Sequence, residues 1–207
     1  MARDKNSYSI LGGALLALII AAFFGSHRAA SAQDDGEHLL YLPLIATAEE
    51  EVTVPNGDFE AGRTAWTESS KWGNVLIVPE DDLPPGIAAH GGSWAAWLGG
   101  DNDEEAILAQ TVTIDPATPY LAFWYWIDWP FSCQGASGAV ATVWLDQTMI
   151  HQTDVCEDTD SGGWSQRVLD VSAFAGQTVD LRFQLITGVT SYANLYQDDV
   201  RLQSSPR

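Results

Sequence analysis

From residue 52 onward the chain is a succession of short β-prone runs, each cut off by Gly, Pro, Asp or Ser. The runs lie at 74–78, 93–98, 107–114, 120–128, 139–145, 148–155, 167–171, 178–186 and 195–202. Strands this short, this numerous and this evenly interrupted build an all-β sandwich or barrel. No window keeps a 3.6-residue apolar period over three turns, so no long helix is expected. Residues 172–176 have room for one helical turn, and no internal repeat is visible. Hydrophobic residues make up 46% of the 207 and aromatic residues 11%, enough to fill a packed core.

Alternation sorts the faces of two strands. In the aromatic run 120–128, Leu121, Phe123, Tyr125 and Ile127 point one way and form the expected core face. Ala122, Trp124, Trp126 and Asp128 point the other way, toward either a second packed face or a binding face. In the run 178–186, Val179, Leu181, Phe183 and Leu185 oppose Asp180, Arg182 and Gln184.

Residues 1–32 read as a secretory signal peptide. Arg3 and Lys5 form a basic start, residues 10–24 are apolar and uncharged, and Ala30-Ser31-Ala32 is a small-x-small cleavage site. The apolar run is shorter than the ~20 residues a spanning helix needs; the other reading is an uncleaved anchor. Residues 33–51 read as an acidic linker and residues 52–207 as the folded domain. Export places the mature chain in an extracellular or cell-surface setting, with no membrane association after cleavage.

Charge narrows the partners. Nine Lys+Arg against 28 Asp+Glu give −19. Cleavage after Ala32 removes three cations and one acid, leaving 6 and 27 and a net −21. Such a surface disfavours nucleic acid and anionic lipid, both of which need clustered cations. Cys133 and Cys156 are the only cysteines, and in an exported chain they are expected to form one disulfide. The bond would close a loop of roughly twenty residues, worth on the order of 3 kcal/mol.

Several segments resemble the jelly-roll carbohydrate-binding modules that accompany bacterial glycosidases, the cellulose- and xylan-binding, galactose-binding-like β-sandwiches. They are Val54-Pro55-Asn56-Gly57-Asp58-Phe59-Glu60-Ala61-Gly62 with Trp66, then His90-Gly91-Gly92-Ser93-Trp94-Ala95-Ala96-Trp97-Leu98-Gly99, and the strand 108–114. The closing segments 169–179 and Tyr196-Gln197-Asp198-Asp199-Val200-Arg201-Leu202 complete the likeness, which runs in order over about 53–203. The same features also resemble MAM-type adhesion domains. The resemblance implies an antiparallel β-sandwich of jelly-roll topology. It also implies a structural calcium between the first loop and the last strand. The matching positions are Glu60 with Asp198 or Asp199, and Asn56 and Asp58 are further candidates. Calcium takes 6–8 oxygen ligands, which carboxylates, amides and carbonyls supply. Zinc is not indicated, because His38, His90 and His151 are widely spaced.

A sugar site needs flat rings with hydrogen-bonding side chains around them. Trp124, Trp126 and Trp129 with Asp128, Arg182 and Gln184 are the candidate ligand residues, and Trp72, Trp94 and Trp97 could add to them. Each indole could equally be a core residue. Trp66 and Trp164 read as structural, and Trp144, between Val143 and Leu145, could be either. No Gly-x-Ser-x-Gly elbow, His-Glu-x-x-His pair or phosphate-binding glycine loop is present, so no enzyme is expected. The expected function is a secreted, non-catalytic module that binds an extracellular glycan or polysaccharide. The alternative is a structural or adhesion domain that contacts another secreted or surface protein.

Overall fold

The computed structural model describes residues 51–128 and 138–207, which fall within one compact unit, Ala46–Arg207. The residues read as a signal peptide, nearly all of those read as a linker, Trp129 and Cys133 lie outside the described residues. Cys156 is buried in the core; its pairing with Cys133 stays an expectation.

Two antiparallel sheets stack face to face. The first has six strands. Five of them run in the order β3 (Ile77–Pro79), β4 (Trp94–Gly99), β11 (Asn194–Gln203), β6 (Tyr120–Asp128) and β9 (Ser165–Asp170), and β1 (Glu51–Thr53) pairs with β11 as the sixth. The second has five strands, ordered β2 (Thr67–Ser70), β5 (Glu105–Thr113), β10 (Thr178–Ile186), β7 (Val140–Leu145) and β8 (Thr148–Asp154). This is the all-β sandwich expected from the strand pattern, with the antiparallel jelly-roll arrangement that the family resemblance implies.

The alternation holds where it was legible. Leu121, Phe123 and Ile127 of β6 are buried against Val179, Leu181, Phe183 and Leu185 of β10, and Tyr125 packs at the margin of that core. Burying each large side chain contributes about 1.5–3 kcal/mol. Ser172–Phe174 forms the single helical turn expected there. β1 and β2 were not legible. β2 is Thr-Glu-Ser-Ser, with no buried residue, and it pairs only with β5. A polar edge strand carries no apolar period to read.

The sandwich has a second, smaller core outside the first. Val78, Leu83, Ala95 and Tyr196 are buried together on the outer face of the six-stranded sheet, with Ile87, Ala89, Trp97, Trp126 and Trp164 packed against them. The connection between β3 and β4, residues 80–93, supplies Leu83, Ile87 and Ala89 and so covers that face.

The β11 ladder with β6 is broken between Asp198 and Arg201 by a bulge. β4 pairs with β11 before the bulge and β1 after it, along the other edge. The opening loop docks at the gap: Val200 N–H donates to the Gly57 carbonyl at 2.8 Å. A Cβ on Gly57 would lie 2.0 Å from the Val200 carbonyl oxygen, so only glycine allows this approach. The obstruction is backbone and cannot swing aside. Gly57→Ala is expected to lower unfolding stability by about 1–3 kcal/mol, read from denaturant melts. A change near zero would mean that the loop does not press on β11.

Candidate functional site

The residues expected to form one ligand site are not in one place. Trp124, Trp126 and Asp128 project from the outer face of the six-stranded sheet. Arg182 and Gln184 lie on the outward phase of β10, in the five-stranded sheet, with the core between the two sets. Trp129 lies outside the described residues.

The indoles of β6 already have partners. The His90 imidazole stacks on Trp124, with centroids 3.9 Å apart and planes 18° from parallel. Trp164 meets His90 edge-on at 5.7 Å and Trp126 edge-on at 6.2 Å. Trp126 also packs edge-on against Tyr196 at 6.3 Å, and Trp164 Nε1–H donates to the Ala88 carbonyl. This is the second packed face allowed for by the alternation. Asp128 ends the strand opposite Asn194, and its partial burial, with Asp160 nearby, raises its pKa. Trp66 packs on Phe59 and Phe183 as a structural residue. Trp97 donates to Asn194 Oδ1 at 3.0 Å, and Trp94 packs at the margin of the main core.

The acidic positions converge on residues 90–94. Glu60 Oε1 accepts the Ser93 and Trp94 amides, each at 2.8 Å. Asp198 is fully buried and accepts the His90 amide at 2.9 Å and the Gly91 amide at 3.1 Å through Oδ2, and the Asp199 amide through Oδ1. Asp199, in a left-handed conformation at φ 49°, pairs with His90 Nδ1 at 2.5 Å. Asn56 is spent on its own loop: Nδ2 donates to the Gly62 and Thr64 carbonyls and Oδ1 accepts the Ala61 amide. Asp58 is exposed and accepts the Glu60 amide at 3.4 Å. Among the described residues no three His, Cys, Asp or Glu side chains are grouped to hold a metal ion. Gly92, at φ +63°, leaves room for the Glu60 carboxylate, whose carbon would lie 2.2 Å from an added Cβ. Asp199 Oδ2 lies 3.3 Å from where a Cβ of the adjacent Gly91 would sit. Glu60 and Asp199, from opposite ends of the domain, thus flank one glycine pair.

The outer face of the five-stranded sheet is different. Trp144 of β7 sits directly across the ladder from Arg182. The guanidinium lies over the indole, 5.0 Å from its centroid, and its buried Nε has no hydrogen-bond partner. Trp144 Nε1–H donates to Thr142 Oγ1 at 2.8 Å, and Gln184 Nε2 donates to Glu105 Oε1 at 2.7 Å. Thr111 Oγ1–H donates to Asp180 Oδ1 at 2.7 Å. Beside these lies an open groove of about 780 Å³, whose lining includes Thr111, Asp146, Gln147, Phe174, Asp180 and Arg182. Its volume lies within the range of small-molecule sites, ~300–1,000 Å³. Sequence reasoning placed Arg182 and Gln184 on a ligand face but left Trp144 undecided. The pairing of β7 with β10 is what puts Trp144 beside them.

A further indole was underweighted. Trp72 is 56% exposed at one end of the sandwich, and its Nε1–H donates to the Asn102 carbonyl at 3.0 Å. Lys71 lies 5.3 Å from its ring centroid.

The fold has relatives among solved structures. The carbohydrate-binding module TmCBM61, solved with β-1,4-galactotriose, is 17% identical at a TM-score of 0.53, covering 72% of this chain and 95% of its own. The two share a scaffold, the antiparallel β-sandwich. The K3 cleaved adhesin domain of Lys-gingipain from Porphyromonas gingivalis is 20% identical at a TM-score of 0.51, covering 76% and 100%. A Stig cyclase from Fischerella is 17% identical at a TM-score of 0.47, covering 77% and 99%, too distant to bear on activity. No protein-family model and no curated protein sequence matches the chain. At such identities the likeness is one of fold. Among the described residues no helix is long and apolar enough to cross a membrane.

Burial pushes the Asp198 carboxyl up to about 7, with the neighbouring Asp199 charge adding to the rise, although the amides of Gly91, Asp199 and His90 pull it down. The folded state therefore holds this proton more tightly than the unfolded chain does. Its contribution to stability is complete below the unfolded value near 3.8 and is lost as pH rises through about 7. In chelator-treated protein, melting temperature should fall over that interval more steeply in the native chain than in Asp198→Asn. Parallel pH profiles would refute the assignment.

Proposed function

We propose that this chain is an exported, non-catalytic carbohydrate-binding module whose glycan lies in the outer groove of the five-stranded sheet. The observation that carries the reading is the Trp144–Arg182 pair beside that groove. A sugar offers an apolar C–H face to a ring and hydroxyl edges to polar groups. Thr111, Asp146, Asp180 and Arg182 line the groove and supply donors and acceptors, and Trp144, next to the groove with Arg182 over one face, would supply the ring through its other face. An open groove suits an internal stretch of a chain. The reading accords with a fold shared with TmCBM61.

The exposure of Trp72 favours a second reading, in which stacking takes place at the loop end of the sandwich. One experiment separates the two. The mature chain, residues 33–207, is tested against a panel of neutral polysaccharides by affinity electrophoresis and calorimetry. Trp144→Ala and Arg182→Ala are expected to weaken binding roughly 10–100-fold, in line with the ~1–3 kcal/mol of such contacts, while Trp72→Ala leaves it unchanged. The opposite pattern moves the site to the loops. Folded protein that binds no glycan would leave the adhesion reading, with a secreted or surface protein as partner.

The same reading carries a structural calcium held by Glu60 and Asp199, which would tie the opening loop to the last strand. Calcium is expected to raise the melting temperature of the native chain, by an increment that grows with concentration, and to leave Glu60→Gln unmoved. It also carries cleavage after Ala32 and a Cys133–Cys156 disulfide, both read from the intact mass of the exported protein before and after reduction.

A further inference from the structure

The open side of the sandwich between edge strands β8 and β9 has an unusual lining. Arg167 pairs in register with Phe123, so it points inward, toward the core side of its sheet. His151 pairs with Val143, and it too points inward, from the other sheet. Gln197 pairs with Tyr125 and is 2% exposed. These three side chains, with Tyr125, Phe123 and Ile127, line a half-open cleft of about 30 Å³ between the sheets. At ~10–15 Å³ per water-sized group, it admits about two such groups.

The polar atoms there are not satisfied by the protein. Arg167 Nη2 donates to Tyr125 Oη at 3.3 Å, and its guanidinium lies 5.5 Å from the Tyr125 ring centroid. Its Nε–H is buried with no partner among the described residues. Arg167 has no carboxylate partner among the described residues, although the chain carries 28 acidic side chains. The other cation-capable group of the cleft, His151, is held toward its neutral form by burial and by Arg167. Arg167 as a whole is half-buried, but its inward Nε–H is buried without an acceptor, and a buried donor left unmade is costly, so the fork can take an anion's oxygens from outside.

We infer that this cleft binds the carboxylate of a small monocarboxylic acid. Two water-sized positions match the two oxygens of one carboxylate, and the arginine fork donates to such a pair through parallel N–H bonds. A chain at −19 disfavours a polyanion, so the ligand carries a single acid group, on a free small molecule or on the terminal uronate of a glycan. The cleft shares no lining residue with the outer groove, so it stands or falls apart from the reading above.

The test is a nuclear magnetic resonance titration of the labelled mature protein with acetate, glucuronate and glucose, with chloride at matched ionic strength as control. Both carboxylates are expected to shift the amides of His151, Arg167 and Gln197 saturably, and glucose and chloride are not. Glucuronate binding roughly 10-fold tighter than acetate assigns a uronate end; equal affinity assigns a free small acid. Arg167→Met should abolish the shifts and, in carboxylate-free buffer, raise the melting temperature, because an unsatisfied buried N–H has been removed. Arg182→Met should leave the shifts intact. If Arg167→Met does not fold, Thr153→Trp, which fills the cleft from β8, must abolish them instead. Shifts that persist in those variants, or that glucose reproduces, or that neither carboxylate produces, overturn the site.

Discussion

The structure depends on a clasp between its first loop and its last strand. The bulge in β11 opens a gap in the ladder, Gly57 fits into it, and the carboxylates beside it gather the backbone amides of residues 90–94. A carboxylate that accepts two amides satisfies groups that would otherwise be buried unpaired. The segment so fixed is the end of the 80–93 connection, and its position decides what happens to the outer face of the six-stranded sheet. With His90 pinned by Asp199, its ring lies flat on Trp124, and the rest of the segment closes over Tyr196 and Trp126. One face of the sandwich is thereby spent on packing, and the other face, the edges and the loop ends stay open.

The legible part of this molecule was what short-range periodicity encodes. Period-2 alternation separated Phe123 from Trp124 and Leu181 from Arg182, because burial on one face leaves a mark in the sequence itself. Alternation cannot say whether the face opposite the core is wet. Trp124 and Trp126 look the same in sequence whether a sugar or His90 lies on them, and the histidine that decides it is more than thirty residues away. Trp144 failed for a related reason: its meaning comes from standing across the ladder from Arg182, a pairing fixed by topology. Arg167 gave no signal at all, since an arginine in a half-polar strand reads as surface until the register turns it inward. The carboxylates of the opening loop and last strand were found through likeness to a family rather than through any local pattern.

The handling of positive charge is economical. Lys71 and Arg63 are paired with Asp103 and Glu68. Arg182 and Arg167 instead lie against aromatic rings, each with a buried Nε that no described residue satisfies. In a chain so rich in acids, keeping two guanidinium groups away from carboxylates takes specific placement, on an inner strand for one and inside an edge for the other. Stacking on Trp144 or Tyr125 holds each fork in one orientation, so less side-chain freedom is lost when an outside oxygen arrives.

The pairing of β1 with the end of β11 has a mechanical consequence. Glu51 lies opposite Gln203, so the chain enters and leaves the domain side by side on neighbouring antiparallel strands. Tension applied through the two ends loads those ladder hydrogen bonds one after another, as in opening a zipper, and does not load them together in shear. The domain therefore yields first at β1, under small force, and the first firm resistance comes where Gly57 is seated in the bulge. Adjacent ends also let such a unit be set into a surface loop of another protein without stretching the host. A domain so connected meets force through its two ends by peeling, not by shear.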